Sequence, residues 1–227
     1  MRLGLTTTPD RIRTLVAAVE RFGFDPVALP CIRIDAVPGG VERLADAVSD
    51  ADVLIVTSAR TVAVLAPTGI PPLPIIAVGS ATAQAVTGAG GRVVWEGSNG
   101  IRHLANEARH LLAGKRIIFA GASNTAQDNV AELESAGCSV QSVPLYANVP
   151  ISPADDPVDA VVFGSPTAVA GWLTTRELIN VLIGAIGPTT TGALKEKGFE
   201  PDAVPQQPEF IDTIECLAAL RPERSAS

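Results

Sequence analysis

Short runs rich in Val, Ile and Leu alternate along the chain with longer stretches in which apolar residues recur at helical spacing. That alternation predicts α/β units, and nine strands follow from it: Arg2–Thr6, Pro26–Leu29, Asp52–Thr57, Ile75–Val78, Arg92–Trp95, Arg116–Ala120, Ser139–Tyr146, Ala160–Phe163 and Ile183–Ile186. Most are apolar at every position rather than at every second one, so both faces are expected to be covered, as in interior parallel strands. One helix is expected over Ile101–Leu112.

Set against itself, the chain repeats three segments in the same order. RLGLTTTPDRIRTLVAAVERFGFDPVALP from Arg2 parallels RIIFAGASNTAQDNVAELESAGCSVQSVPLY from Arg116. DVLIVTSARTVAVL from Asp52 parallels DAVVFGSPTAVAGWL from Asp159, and IIAVGSATAQAVTGAGGRVV from Ile75 parallels LIGAIGPTTTGALKEKGFEPDAV from Leu182. The offset is 114 for the first pair and 107 for the other two, which reads as a tandem duplication with small loop changes. Two similar α/β lobes with parallel sheets flanked by helices are therefore expected, with the working surface in a cleft between them.

Each repeat carries a strand that runs into a turn of small hydroxyl residues and then into a helix. TTTPD, VTSAR, VGSAT, GASNT, FGSPT and IGPTT are six such turns, and Pro9, Pro166 and Pro188 suit a first helical turn where a missing N–H costs nothing. Ser and Thr are common helix caps, so a single turn of this kind signals no ligand. Six of them, at the strand ends where open α/β sheets place their ligands, point to a polar or anionic ligand held by helix N-termini.

The composition narrows the chemistry. With 47% apolar and 18% charged residues the chain is globular, and its 227 residues suffice for two lobes of about 100 residues each. The net charge of −7 and the lack of any Lys/Arg cluster argue against a nucleic-acid partner. Thr61–Gly91 holds no charge, but Pro67, Pro71, Pro72 and Pro74 break any membrane-spanning helix there, so no membrane partner is expected. Cys31, Cys138 and Cys216 never form a C-x-x-C pair, His103 and His110 lie seven residues apart, and neither set has metal-ligand spacing. Both nucleotide-binding glycine signatures are absent, so no cofactor is expected. The acidic stretch Asp155, Asp156 and Asp159 reads as a solvated loop, no Ser/His/Asp triad can be assembled around Ser58 or Ser165, and the tail RPERSAS reads as a frayed end. A cytoplasmic monomer acting on a small molecule is the expectation. Tyr146, the single tyrosine, could donate a proton at the mouth of a cleft, although position alone favours an aromatic packed at a strand end.

The ordered set VLIVTSARTVAVL, IIAVGSATAQAV, GKRIIFAG, SVPLYANV, DAVVFGSPTAVAGWL and AIGPTTTGALKEKGFEP resembles uroporphyrinogen-III synthase over nearly the whole chain. The resemblance implies two lobes joined by a two-stranded linker, residues 1–34 with 151–227 forming one and the inserted residues 35–149 the other. The linker strands would cross near Cys31–Ile34 and Tyr146–Val149. It implies a cofactor-free lyase that cyclises hydroxymethylbilane, a linear tetrapyrrole, with loss of water and inversion of the last ring through a spiro intermediate. Tyr146 would be the acid that helps hydroxide leave, which reverses the reading from position alone. Thr57, Ser58, Arg60, Thr82, Ser165, Thr189 and Thr190 would line the substrate site.

Two turns depart from the family pattern. Thr7-Thr8-Pro9 stands where an Arg is usual, and so does Gly121-Ala122-Ser123-Asn124, leaving Arg11, Arg13 and Arg60 as the nearby cations. Two other readings stay open for such a chain: an enzyme of the same fold performing a different dehydration or cyclisation, and a non-catalytic two-lobed module that closes on a small anion.

Overall fold

The structure, a computed structural model, describes residues 1–97, 100–123 and 126–220; the tail RPERSAS lies outside them. In chain order, β1 (Arg2–Leu5), α1 (Pro9–Arg21) and β2 (Asp25–Ala28) come first, and β3 (Ile32–Ala36) follows. Next come α2 (Gly40–Val48), β4 (Val53–Val56), α3 (Ala59–Leu65), β5 (Pro74–Val78), α4 (Ser80–Gly88) and β6 (Arg92–Gly97). Then α5 (Gly100–Glu107), α6 (Arg109–Leu112), β7 (Arg116–Ala122), α7 (Ala126–Glu134) and the long β8 (Ser139–Pro150) complete the middle of the chain. The last elements are β9 (Ala160–Phe163), α8 (Pro166–Trp172), β10 (Leu182–Ala185), α9 (Pro188–Glu196) and α10 (Phe210–Ala219).

Two compact units result: Met1–Ile34 with Val149–Ser227, and Asp35–Asn148. In the first, a parallel sheet has the order β10-β9-β1-β2. β9 shows why its sequence is continuously apolar. Ala160 and Val162 pack with Ile12, Leu15, Ile214 and Leu217 of α1 and α10 on one face. Val161 and Phe163 pack with Val169, Trp172 and Leu194 of α8 and α9 on the other. Helices cover both sides, so a polar residue in the middle of such a strand would be buried and would need a partner. Phe163 and Trp172 meet edge to face with centroids 5.8 Å apart, a favoured aromatic geometry.

In the second unit the sheet order is β3-β8-β7-β4-β5-β6, with β8 through β6 parallel. The β8-β7-β4-β5 portion repeats β2-β1-β9-β10 of the first unit, strand for strand, along the segments that match in sequence. Details repeat as well. Asp159 accepts from the Arg2 N–H at 2.7 Å and its own N–H reaches the Arg2 carbonyl at 2.9 Å. Asp52 does the same to Arg116, at 2.8 Å in both directions. Asp159, read from sequence as part of a solvated loop, is thus a strand anchor, while Asp156 makes a loose surface pair with Arg2 at 3.7 Å.

β3 and β8 are neighbours that run antiparallel: the Val37 N–H bonds the Leu145 carbonyl and the Ile151 N–H bonds the Cys31 carbonyl, both at 3.0 Å, so one number rises as the other falls. Inside the first unit this strand pair lies against α8 at Gly171. A Cβ added there would sit 2.3 Å from the Cys31 carbonyl oxygen and 2.7 Å from that of Ile151, a backbone approach that excludes any side chain.

The helix expected over Ile101–Leu112 is interrupted. Ala108, fully buried and at φ −97°, ψ 15°, separates α5 from α6 and puts His103 and His110 on different helices. Both histidines are exposed, and His103 lies 3.3 Å from Glu107. No described group of His, Cys, Asp and Glu could hold a metal ion, and no described helix is long and apolar enough to cross a membrane.

Candidate functional site

The hydroxyl-rich turns fall at the carboxyl ends of adjacent parallel strands in each unit. In the second unit, Thr57, Ser58 and Arg60 follow β4 and Thr82 follows β5, while Tyr146 pairs with Ala122 at the end of β7. In the first unit, Ser165 follows β9, and Thr189 and Thr190 follow β10.

The turns are built in different ways. Ser58 and Ser165 cap their helices, the Ser58 Oγ accepting from the Arg60 N–H at 3.1 Å and the Ser165 Oγ from the Ala168 N–H at 3.2 Å. A capping hydroxyl accepts through its oxygen and keeps its O–H to donate, so capping leaves both serines able to bond a ligand carboxylate. α4 and α9 start at Gly79 and Gly187 instead, with no side-chain cap. Thr82 and Thr190 are buried, at 4% and 2% exposure, whereas Thr189 is exposed and Thr57 and Ser58 are half-buried. In the GASNT turn, Asn124 and Thr125 lie outside the described residues.

Tyr146 does not end its strand, as the sequence suggested, but sits inside β8. Gly121 pairs with Pro144 and Ala122 with Tyr146, so Leu145 is the extra residue of a bulge, and its carbonyl accepts from Val37. β8 exchanges β7 for β3 as its partner at this point. A bulge re-aims the side chain that follows it, and Tyr146 is buried, at 5% exposure. No hydrogen bond to its hydroxyl occurs among the described residues.

The cations are placed unevenly. Arg13 is ion-paired with Asp10 on the same helix. Arg60 is half-buried in the first turn of α3. Arg11 lies over the ring of Phe210, its guanidinium carbon 5.9 Å from the centroid, a contact between residues 199 positions apart in sequence that no local pattern signals.

Cys31 and Cys138 are not poised for chemistry. Burial pushes Cys31 up to about 12 against the opposing pull of Arg176, and burial raises Cys138 as well; neither forms the reactive thiolate near neutral pH. Asp52 is shifted the other way, held below the usual carboxylate range first by the Arg116 N–H. A cavity of about 300 Å³ lies between α2 and the segment after α3, lined by Val41, Leu44, Val48, Leu65, Ile70 and Pro71 among others. It opens where the chain enters β4 and β5, away from the hydroxyl turns, and carries no titratable side chain.

The geometry is that of an α/β protein with hydroxyls, backbone N–H groups and one tyrosine at its strand ends. A comparison with protein families matches residues 13–215 to uroporphyrinogen-III synthase HemD. The chain belongs to the uroporphyrinogen-III synthase family. Membership makes it a lyase that needs no cofactor and acts on a small tetrapyrrole. No curated protein matches the sequence. Among solved structures, uroporphyrinogen-III synthetase from Helicobacter pylori superposes with a TM-score of 0.71 at 17% identity, covering 97% of this chain and 100% of that one. A mutant uroporphyrinogen III synthase from the extremely thermophilic bacterium Thermus thermophilus gives 0.61 at 22% identity over 96% of both chains. Another Thermus thermophilus structure of the enzyme gives 0.51 at 20% identity, over 96% of this chain and 98% of that one. At these identities the structures establish the shared fold, and the family match establishes the membership.

Proposed function

We propose that the chain closes hydroxymethylbilane to uroporphyrinogen III, with loss of water and inversion of the last ring, and that Tyr146 donates the proton on which hydroxide leaves. The observation that carries this reading is the family match across 13–215, within which the hydroxyl turns and Tyr146 all lie except the first turn, TTTPD. Departure of hydroxide leaves an electrophilic azafulvene, so the protein has to supply an acid, a shaped surface and donors for the carboxylate arms. Tyr146 suits the first requirement, being a phenol on the residue that follows a bulge beside the end of β7. Ser58, Ser165, Thr57 and Thr189 keep donors at the strand ends, Arg60 adds a charge, and Thr82 and Thr190 lie, buried, in the same turns. The strand-by-strand correspondence of the two sheets supports reading them as copies of one duplicated segment with their N-terminal parts exchanged. We read the protein as a cytoplasmic monomer with a small-molecule substrate and no nucleic-acid or membrane partner.

The test is turnover of hydroxymethylbilane by the wild type and by Tyr146→Phe. A positioned general acid contributes about 10²–10⁴-fold, so the variant should lose at least about a hundredfold in kcat with its unfolding midpoint kept. A wild type no faster than spontaneous ring closure would overturn the activity, and an unimpaired Tyr146→Phe would overturn the role of the tyrosine.

A further inference from the structure

A substrate with several carboxylates meets a chain of net charge −7 whose first turn, Thr7-Thr8-Pro9, offers no cation. The first unit nevertheless has a positive charge at the corresponding strand ends. α1 begins where β1 ends, and Arg11 is in its first turn, exposed. Its guanidinium lies over Phe210, whose ring is 7% exposed and rests on Gly164. A Cβ built on Gly164 would stand 2.2, 2.9 and 3.2 Å from three atoms of that ring, so the ring fills the place a side chain would take. Gly164 is followed by Ser165, the cap of α8. Cation, ring, glycine and capping hydroxyl thus form one connected group at the ends of β1 and β9.

The way Arg11 is held matters chemically. An aromatic face attracts the cation through the ring quadrupole and leaves the in-plane N–H donors unused. A carboxylate partner would have occupied those donors and cancelled the charge, as Asp10 does for Arg13. Among the described residues Arg11 has no carboxylate partner.

We propose that Arg11, propped on Phe210 over Gly164, is a specificity-determining residue that takes one carboxylate arm of the substrate at the first unit, in place of the cation missing from the Thr7-Thr8-Pro9 turn. This rests on the reading that the substrate is a polycarboxylate tetrapyrrole. A planar guanidinium meets a carboxylate through two parallel N–H···O bonds, which a lysine cannot reproduce. Phe210 is a positioning residue that touches Arg11 and not the substrate.

The experiment compares KM and kcat for hydroxymethylbilane among the wild type, Arg11→Ala, Arg11→Lys, Phe210→Leu and Arg21→Ala. Arg21 is the control because it lies over the Phe22 ring at 5.0 Å, the same kind of contact at the opposite end of the same helix. Arg11→Ala should raise KM about tenfold or more, as expected for losing a charge-assisted bidentate contact, with kcat changed by less than about twofold, since the interaction is the same in ground and transition states. Arg11→Lys should recover part of that loss. Phe210→Leu should raise KM in the same direction, with no further rise when combined with Arg11→Ala, because both act through one group. Arg21→Ala should match the wild type. An active wild type whose KM is unchanged by Arg11→Ala overturns the proposal alone. A wild type that does not turn over hydroxymethylbilane overturns the functional reading and this proposal together.

Discussion

The two units carry four parallel strands in the same order, yet finish an equivalent strand end differently. After β4 the chain continues with Thr57 and Ser58, and after β9, at the matching positions, with Gly164 and Ser165. The serine is kept and caps its helix in both places. The residue before it is a half-buried hydroxyl in one unit and, in the other, a bare backbone covered by Phe210 with Arg11 above it. The cap is common to both ends, and the preceding position differs: a hydroxyl in one unit, a bare backbone under an aromatic ring and a cation in the other. A second difference is structural. Gly171 of α8 lies against the carbonyls of Cys31 and Ile151, while its counterpart in α3, Val64, carries a side chain.

The largest effect is expected at that second difference. Gly171→Ala places a methyl group on two backbone oxygens that cannot rotate away, at a cost of about 3 kcal/mol, whereas Val64→Ala should cost about 1 kcal/mol. Urea unfolding midpoints measure both, and equal losses would remove the asymmetry. A smaller effect is expected where the strand ends differ. Gly164→Thr makes the first unit imitate the second and collides with the Phe210 ring, costing about 1–3 kcal/mol. The loss on Phe210→Ala should be distinctly less when Gly164→Thr is already present; additive losses would show that ring and glycine are not coupled.

The smallest effect concerns the shared Asp anchors. The Arg116 N–H holds Asp52 below the ordinary carboxylate range, so its contribution to stability is present above the usual carboxylate pKa and disappears as pH falls through the lowered value in the folded protein. The stability difference between wild type and Asp52→Asn should therefore shrink towards zero on acidification, as followed by urea midpoints from about pH 7 down to about pH 2. A difference that stays constant with pH would mean that Asp52 acts without its charge.

The strand pattern was legible because burial on both faces forces continuous apolar runs, of which VLIV and AVVF are the clearest, all eight residues being buried. Internal repetition supplied the correspondence between segments, since equivalent strands need equivalent residues. The break at Ala108 was not legible: the apolar spacing of α5 continues into α6, and the interruption lies in the backbone angles of one buried alanine. Nor was the bulge at Leu145, which arises because β8 changes partners and so depends on where β3 runs. Among candidate site residues, the hydroxyl turns stood out as composition at strand ends, but burial separated Thr190 from Thr189, a distinction set by helix phase. Phe210 carried no signal as a site residue, because its role depends on Gly164 and Arg11, both distant in sequence.

The proposed activity is a cofactor-free ring closure with inversion. The decisive measurement is the isomer composition formed from freshly prepared hydroxymethylbilane and wild-type protein freed of metal by chelator. The type-III product is expected in excess, and a product consisting of the uninverted type-I isomer alone would overturn the proposed activity.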